Sequence, residues 1–138
     1  MKSRVLYVSK NKKESAKQIA QAISLGAKIA CDPVEKHTRV TDVDILFLGC
    51  EMFFGKIRGE LRKLAMNIDP SQVRQVIVFS VGSSPDKTGL AEIKAILEPK
   101  GINVSETEFF CKDKVTDQVI KDAQIFGKTS ISKAGSGA

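Results

Sequence analysis

The sequence has few of the residues that build catalytic or metal sites. Its 138 residues include one histidine, one tyrosine, three cysteines and no tryptophan. Cys31, Cys50 and Cys111 are far apart and form no CxxC pair, and the lone histidine is His37. A structural zinc takes about four clustered ligands, so no metal is expected. No Ser or Cys has a visible base, so no catalytic group is assigned, and Cys50 is expected to be a reduced, buried thiol.

Long apolar segments are missing as well. No run approaches the ~20 residues that a membrane-spanning helix needs. The apolar stretch that follows Arg4 is only about five residues long, too short for the core of a signal peptide. We therefore expect a cytoplasmic protein with no membrane partner. The composition, 42% hydrophobic and 28% charged, is typical of a globular domain with a single core.

Acidic residues are fewer than basic ones, 16 against 22, and the formal net charge is +6. A basic balance attracts nucleic acid, acidic proteins or phosphorylated ligands. Lys10, Lys12 and Lys13 form the only tight local cluster. A nucleic-acid-binding domain would be expected to show a recognisable motif with aromatic or arginine readout groups, and none is found. Nucleic acid is therefore not an expected partner, and the oligomeric state stays open.

Short apolar runs alternate with amphipathic stretches along the chain. The apolar runs predict strands, and the stretches with helical spacing predict helices. Gly26 and Gly127 follow two of these helices and are interpreted as helix stops. The alternation predicts an α/β fold with a doubly wound, five-stranded parallel sheet and helices on both faces. The predicted domain covers residues 1–127, and 128–138 is predicted to be a flexible tail. The predicted strands are 5–8, 27–31, 44–49, 75–81 and 103–110, and the predicted helices are 14–25, 60–67, 90–97 and 115–126.

Ligands of open parallel sheets bind beyond the carboxyl ends of the strands, where the strand order reverses. In the order 2-1-3-4-5, the loops after the first, third and fourth strands meet at that point. These loops are 9–15, 49–58 and 82–87. A functional site is therefore expected among these three loops, whatever its chemistry.

The first loop precedes a helix, whose free N–H groups and dipole favour an anion. The hydroxyls of Ser9 and Ser15 and the amide of Asn11 could add hydrogen bonds to a phosphate. The alternative is a solvated loop in which Ser15 or Asn11 caps the helix. The candidate residues of this loop are Ser9, Lys10, Asn11, Lys12, Lys13 and Ser15.

The second loop contains two adjacent aromatic residues between glycines. Phe53 and Phe54 cannot both point into one core if the backbone is extended, because successive side chains alternate. One ring could therefore lie against a flat ligand, where stacking is worth about 1 kcal/mol. The alternative is packing on a neighbouring loop or on a partner. Glu51, Met52 and Gly55 complete the candidate residues of this loop.

The third loop begins with Gly82, Ser83 and Ser84. Small residues with exposed backbone amides suit the close approach of a planar, polar ring system. The alternative is a simple turn from strand to helix. The segment 126–129 has the ending of a phosphate-binding P-loop, but the earlier glycine is absent and the segment ends a predicted helix, so this motif is rejected.

The segments RVLYVSK, ESAKQIAQAI, DILFLGCEMFFGKIRGELRKL, QVIVFSVGSS and EFFCKDKVTDQVIKDAQIFGK resemble the flavodoxin family. The resemblance spans residues 4–127 and is most specific over 45–56. It implies a flavodoxin-like fold with the strand order 2-1-3-4-5. It also implies noncovalent binding of flavin mononucleotide (FMN) and transfer of single electrons, which makes an electron carrier more plausible than an enzyme with its own substrate.

The phosphate loop is a degenerate version of the family motif Ser/Thr-x-Thr-Gly-x-Thr. Ser9 matches the first hydroxyl, Asn11 stands at the second, and Lys12 replaces the glycine. After the third strand, the aromatic position is kept as Phe53, and Glu51 would add negative charge near the flavin. Flavodoxins are typically acidic, so this basic chain would need an acidic redox partner.

Two hypotheses follow from these residues. In the first, the chain is an FMN-binding redox protein. Ser9, Asn11 and Ser15 would hold the phosphate, a ring of the second loop would flank the flavin, and the third loop would meet its polar edge. In the second, the chain is a flavodoxin-like binding module that has lost flavin and engages a protein or a phosphorylated ligand.

Overall fold

The computed structural model describes residues 2–136 of the chain. Four helices and six strands alternate along it, together with one short 3₁₀ turn, Glu98–Lys100. The strands are β1 Ser3–Val8, β2 Ala30–Pro33, β3 Val43–Glu51, β4 Val73–Gly82, β5 Asn103–Val104 and β6 Phe109–Lys112. The helices are α1 Ser15–Ala27, α2 Gly59–Asn67, α3 Leu90–Leu97 and α4 Asp117–Ser136.

All strands pair in parallel in the order β2-β1-β3-β4-β5, with β6 also paired to β4. The predicted five-stranded parallel sheet of order 2-1-3-4-5 is confirmed. The predicted fifth strand over 103–110 is instead two short strands, and both pair with β4 in the same sheet position. The chain leaves the sheet between them at Ser105, whose N–H still donates to the Val76 carbonyl (2.9 Å).

The sheet is buried on both faces, as the apolar strands predict. Along β3, Ile45 and Phe47 pack against α1 and α4, whereas Leu46 and Leu48 pack against α2 and α3. This alternation follows from the two-residue period of a strand. Two layers of core side chains therefore pack on opposite faces of the sheet, and the carboxyl ends of β1, β3 and β4 lie side by side at one edge.

The two glycines interpreted as helix stops lie inside helices. A Cβ at Gly26 would lie 1.9 Å from the Gln124 carbonyl oxygen, and one at Gly127 would lie 2.3 Å from the Ile23 carbonyl oxygen. Glycine therefore allows the backbones of α1 and α4 to approach closely. The helix stop is instead Lys28, which has a left-handed φ of 58° and donates its N–H to the Ser24 carbonyl. Because α1 continues to Ala27, β2 begins later than predicted.

The predicted flexible tail is largely helical. Helix α4 continues to Ser136, so the predicted helix end at Gly127 is wrong. Ile131 and Ala134 pack against the core on the α1–α4 face, which explains why the helix persists. Residues 137 and 138 of the predicted tail lie outside the described residues. Between residues 2 and 136, no helix is long and apolar enough to cross a membrane.

Candidate functional site

The carboxyl ends of β1, β3 and β4 bring the three candidate loops together. Val8 at the end of β1 pairs with Cys50, and Glu51 at the end of β3 pairs with Val81 on β4. The first loop lies on one side of β3 and the third loop on the other. Glu51, the last residue of β3, contacts the first loop, and Met52, which follows it, contacts β4 and the start of the third loop.

Glu51 is buried, with 4% of its surface exposed, and its carboxylate accepts four hydrogen bonds from the first loop and α1. The Ser9 hydroxyl and the Ala16 N–H donate to Oε2 at 2.5 and 2.8 Å. The Lys10 N–H donates to Oε1 at 2.7 Å, and the Asn11 N–H at a longer 3.4 Å. A buried charge is tolerated only when it is hydrogen-bonded in this way. The anion at the start of α1 is thus part of the chain itself.

Asn11 and Ser15 form a second, internal set of hydrogen bonds. The Ser15 N–H donates to Asn11 Oδ1, and Asn11 Nδ2 donates to Ser15 Oγ, both at 3.0 Å. The Asn11 side chain therefore satisfies the first free N–H of α1, although the N-cap residue is Glu14, whose own side chain makes no capping hydrogen bond. The Glu14 N–H also donates to the Asn11 carbonyl (3.1 Å), and Glu14 has a left-handed φ of 52°. These contacts give the loop a defined shape.

The three lysines of the first loop do not surround the Glu51 carboxylate. Lys10 forms an ion pair with Glu60 at the start of α2, and this contact lowers the pKa of the Glu60 carboxyl. Lys12 and Lys13 are exposed to solvent. Their charge contributes to the potential of this edge of the sheet, and the direct contacts to the anion come from neutral donors.

The second loop makes a tight turn that presents both aromatic rings to solvent. The N–H groups and carbonyls of Phe53 and Lys56 bond to each other, and Phe54 and Gly55 have φ values of 50° and 74°. Two successive positive φ values are typical of a type I′ turn. Phe53 is 53% exposed and Phe54 is 88% exposed. Their rings pack edge to face at 4.5 Å, and the Arg58 guanidinium lies 4.8 Å from the Phe53 ring centre.

Met52 and Lys87 connect the second loop to the third. The Met52 N–H donates to the Val81 carbonyl (2.7 Å), and a Cβ at Gly82 would touch the Met52 side chain at 3.3 Å. The Lys87 side chain crosses Gly55, where a Cβ would lie 2.8 Å from Lys87 Cδ. The glycines thus make room for side chains of the protein itself.

Ser83 is exposed and Ser84 is half-buried, and neither reaches the Glu51 cluster. Ser84 shapes its own loop, since its carbonyl accepts the Lys87 N–H (3.1 Å) and its hydroxyl accepts the Asp86 N–H (3.4 Å). The hydrogen bonds of the third loop are therefore those of a simple turn from strand to helix.

Burial raises the pKa of the Cys50 thiol to about 11. It also raises the pKa of Cys31 to about 11. These thiols are protonated at neutral pH and are poor nucleophiles. Within the range 2–136, no group of three or more His, Cys, Asp or Glu side chains is placed to hold a metal ion.

A cavity of about 280 Å³ lies beside this edge, between the chain after β2 and helix α2. Val34 and Lys36 line one wall, and Glu60 and Lys63 line the other. Glu60 is also the ion-pair partner of Lys10. The cavity therefore shares one lining residue, Glu60, with the ion pair of the first loop.

The residues of the first loop, as arranged, do not fit the phosphate of FMN. The three side chains expected to hold the phosphate all have other partners, since Ser9 bonds to Glu51, and Asn11 and Ser15 bond to each other. The Lys10 and Ala16 N–H groups also donate to Glu51. A phosphate at these donors would have to displace a carboxylate of the same charge sign.

The sequence predicts Glu51 as a site residue, but in a different role. The prediction placed the side chain near a flavin and did not include the backbone N–H of Ala16. The sequence contains a signal for this contact. Glu51 ends the buried strand β3, and the neighbouring strand β1 leads into the start of α1. Arg58 and Lys87 were missed because their contacts with the second loop depend on the turn at Phe54 and Gly55.

Comparison with known proteins supports the fold and nothing finer. No protein-family model matches the sequence, and no curated protein matches it. Among solved structures, the chain is similar to a flavodoxin from the domain Archaea, with a TM-score of 0.73 and 17% identity over 98% of this chain and 99% of that one. A WrbA-like flavodoxin from Agrobacterium tumefaciens gives a TM-score of 0.78 and 12% identity over 99% of both chains. Flavodoxin 1 from Bacillus cereus gives 0.66 and 17% identity, covering 95% of this chain and 97% of that one. The chain therefore has a flavodoxin-like fold over nearly its whole length.

Proposed function

We propose that this protein is a flavodoxin-like binding module that engages an acidic protein partner at the carboxyl edge of its sheet and does not hold FMN through its phosphate. The observation that supports this function is the buried carboxylate of Glu51 on the donors at the start of α1. Fold likeness alone does not determine function, because the site decides it.

The carboxylate competes strongly with an external anion because it belongs to the same chain. Each hydrogen bond to a charged group contributes roughly 1.5–3 kcal/mol, and an attached group acts at a high effective concentration. FMN would have to expel Glu51 from a buried position and then place its phosphate close to the displaced charge. Both requirements weaken phosphate binding.

The partner surface is the exposed pair Phe53 and Phe54 with its basic surroundings. Exposed aromatic rings beside an arginine are typical of the central residues of protein interfaces. Basic side chains at this edge outnumber acidic ones, so a partner with an acidic surface is favoured. The basic residues of the three loops and of the β6 end are Lys10, Lys12, Lys13, Lys56, Arg58, Lys87, Lys112 and Lys114. Unpaired cysteines fit a cytoplasmic setting.

The second candidate function is FMN-binding electron transfer, with no substrate of its own and an acidic redox partner. The likeness to solved flavodoxins over nearly the whole chain favours it. Glu51 would have to turn out of the first loop, which would free Ser9 and the Lys10 and Ala16 amides for the phosphate. Phe53 would then flank the ring system, whose chemistry would be one-electron redox chemistry.

Spectroscopy of the purified protein distinguishes the two functions. The binding module should lack the visible absorption bands of flavin, and a low concentration of FMN should keep its full fluorescence when an excess of the protein is added. Bound flavin after purification, or quenching with micromolar affinity or better, would contradict the binding module and establish the electron carrier. Phe53→Ala should then weaken FMN binding, and Ile125→Ala, which removes an exposed apolar side chain on α4, serves as the matched control.

A further inference from the structure

We infer that Glu51 is the specificity-determining residue of this edge: its carboxylate occupies a preformed oxyanion site, and removing it leaves a site that binds phosphate. The inference rests on the proposed function and deepens it, because it names the residue that makes the protein reject phosphorylated ligands. The reason to expect a site is that an anion is already seated there, held by one hydroxyl and three backbone N–H groups.

Two of the four donors, the N–H groups of Asn11 and Ala16, are held in place by contacts that do not involve Glu51. The Asn11 side chain binds the Ser15 N–H and hydroxyl, and the Asn11 carbonyl accepts the Glu14 N–H. The Ala16 N–H belongs to the first turn of α1, and the buried Ala16 side chain anchors that turn. Removing the carboxylate should therefore leave these two N–H groups directed at the same position.

The backbone that carries Glu51 is also fixed independently of its side chain. Glu51 pairs with Val81 as the last residue of β3, and the next N–H, of Met52, donates to the Val81 carbonyl at 2.7 Å. A shorter side chain at position 51 should therefore keep the strand in register. It would open a space beside the partly exposed Ser9 and Asn11, through which an ion can enter.

The four donors and the charge around them suit a small oxyanion. Unpaired buried donors at a helix start bind phosphate or sulfate readily, because the helix dipole favours negative charge. Lys10, Lys12 and Lys13 add positive potential from the same loop. In the wild-type protein Glu51 already satisfies the donors. A ligand or partner without an anionic group can therefore bind at this edge and leave these hydrogen bonds intact. A phosphorylated ligand would have to displace the Glu51 carboxylate, and its binding is weakened by that cost.

The test uses Glu51→Ser with inorganic phosphate as the probe. Calorimetric titration and thermal unfolding would be measured for the wild type, for Glu51→Ser and for Glu51→Ala. Glu60→Gln is the matched control, because it removes an acidic group that contacts Lys10 and leaves the Glu51 donors occupied. Both Glu51 variants should bind phosphate at least about tenfold more tightly than the wild type, and Glu60→Gln should resemble the wild type. FMN titration should show the same order.

Folded Glu51 variants with the phosphate affinity of the wild type would overturn the inference. An equal gain in Glu60→Gln would also overturn it, since general charge would then explain the effect. If both Glu51 variants unfold without the ion, phosphate should restore their folding, and failure to do so counts against the site. Wild-type binding of FMN with a further gain in Glu51→Ser would contradict only the proposed function and would leave this inference standing.

Discussion

Gly127→Ala is expected to destabilise the protein although alanine favours helices. At an open helical position this change stabilises by roughly 0.5–1 kcal/mol. At Gly127, however, the new Cβ would lie 2.3 Å from the Ile23 carbonyl oxygen, a backbone atom of α1 that no side-chain rotation can move away. The two helices must separate, and overpacking of this kind costs about 1–3 kcal/mol. We therefore expect a net loss of roughly 0.5–2 kcal/mol, because the strain exceeds the gain in helix propensity.

Urea unfolding followed by circular dichroism would measure this loss as a shift in the free energy of unfolding. Gly59→Ala is the control, since Gly59 begins α2 and an added Cβ there would meet no atom within 4 Å. Gly59→Ala should be neutral or slightly stabilising. A Gly127→Ala protein that is as stable as the wild type would refute the close approach of α1 and α4. That approach matters for the site, since α1 carries the Ala16 amide.

Two further predictions concern exposure. Phe54→Ala should change the free energy of unfolding by less than about 0.5 kcal/mol, as for an ordinary surface position, whereas Phe47→Ala, fully buried, should cost about 3–5 kcal/mol. Equal losses in the two variants would contradict the exposed position of the aromatic turn. Because burial raises the pKa of Cys50 and Cys31 to about 11, both thiols should react slowly with a thiol reagent at neutral pH and rapidly after unfolding. Fast labelling at Cys50 itself, located by mass spectrometry of the labelled folded protein, would contradict the burial of Cys50.

If the proposed function holds, a change at one position separates this protein from a phosphate binder on the same scaffold. The donors at the start of α1 are a property of the fold, because every helix start has free N–H groups. The residue at position 51 determines which group accepts hydrogen bonds from these donors. The same sheet edge can therefore serve a cofactor in one protein and a partner in another without any change of architecture.

Much of the site could be located from the sequence, but its internal contacts could not. The apolar strands ending at 49 and 81 predicted which loops meet, because parallel strands place their carboxyl ends together. The hydrogen bonds of Glu51 join residues about forty positions apart. A local sequence pattern does not show which residues contact each other across such a separation. The sequence was therefore equally compatible with a solvent-exposed Glu51 near a ligand and with a buried Glu51 that accepts hydrogen bonds from backbone amides.

The sequence by itself determined the α/β class and the parallel sheet, since hydrophobic periodicity and alternation of elements depend only on nearby residues. The strand order was implied by the resemblance to flavodoxins. It did not determine the helix ends. Gly26 and Gly127 follow the local pattern of helix stops, but each lies where another backbone approaches closely. Only the tertiary structure decided that both glycines remain helical and that Glu51 fills the anion site. In each case the energy that decides comes from a contact with a segment distant in sequence, and that contact exists only once the chain has packed.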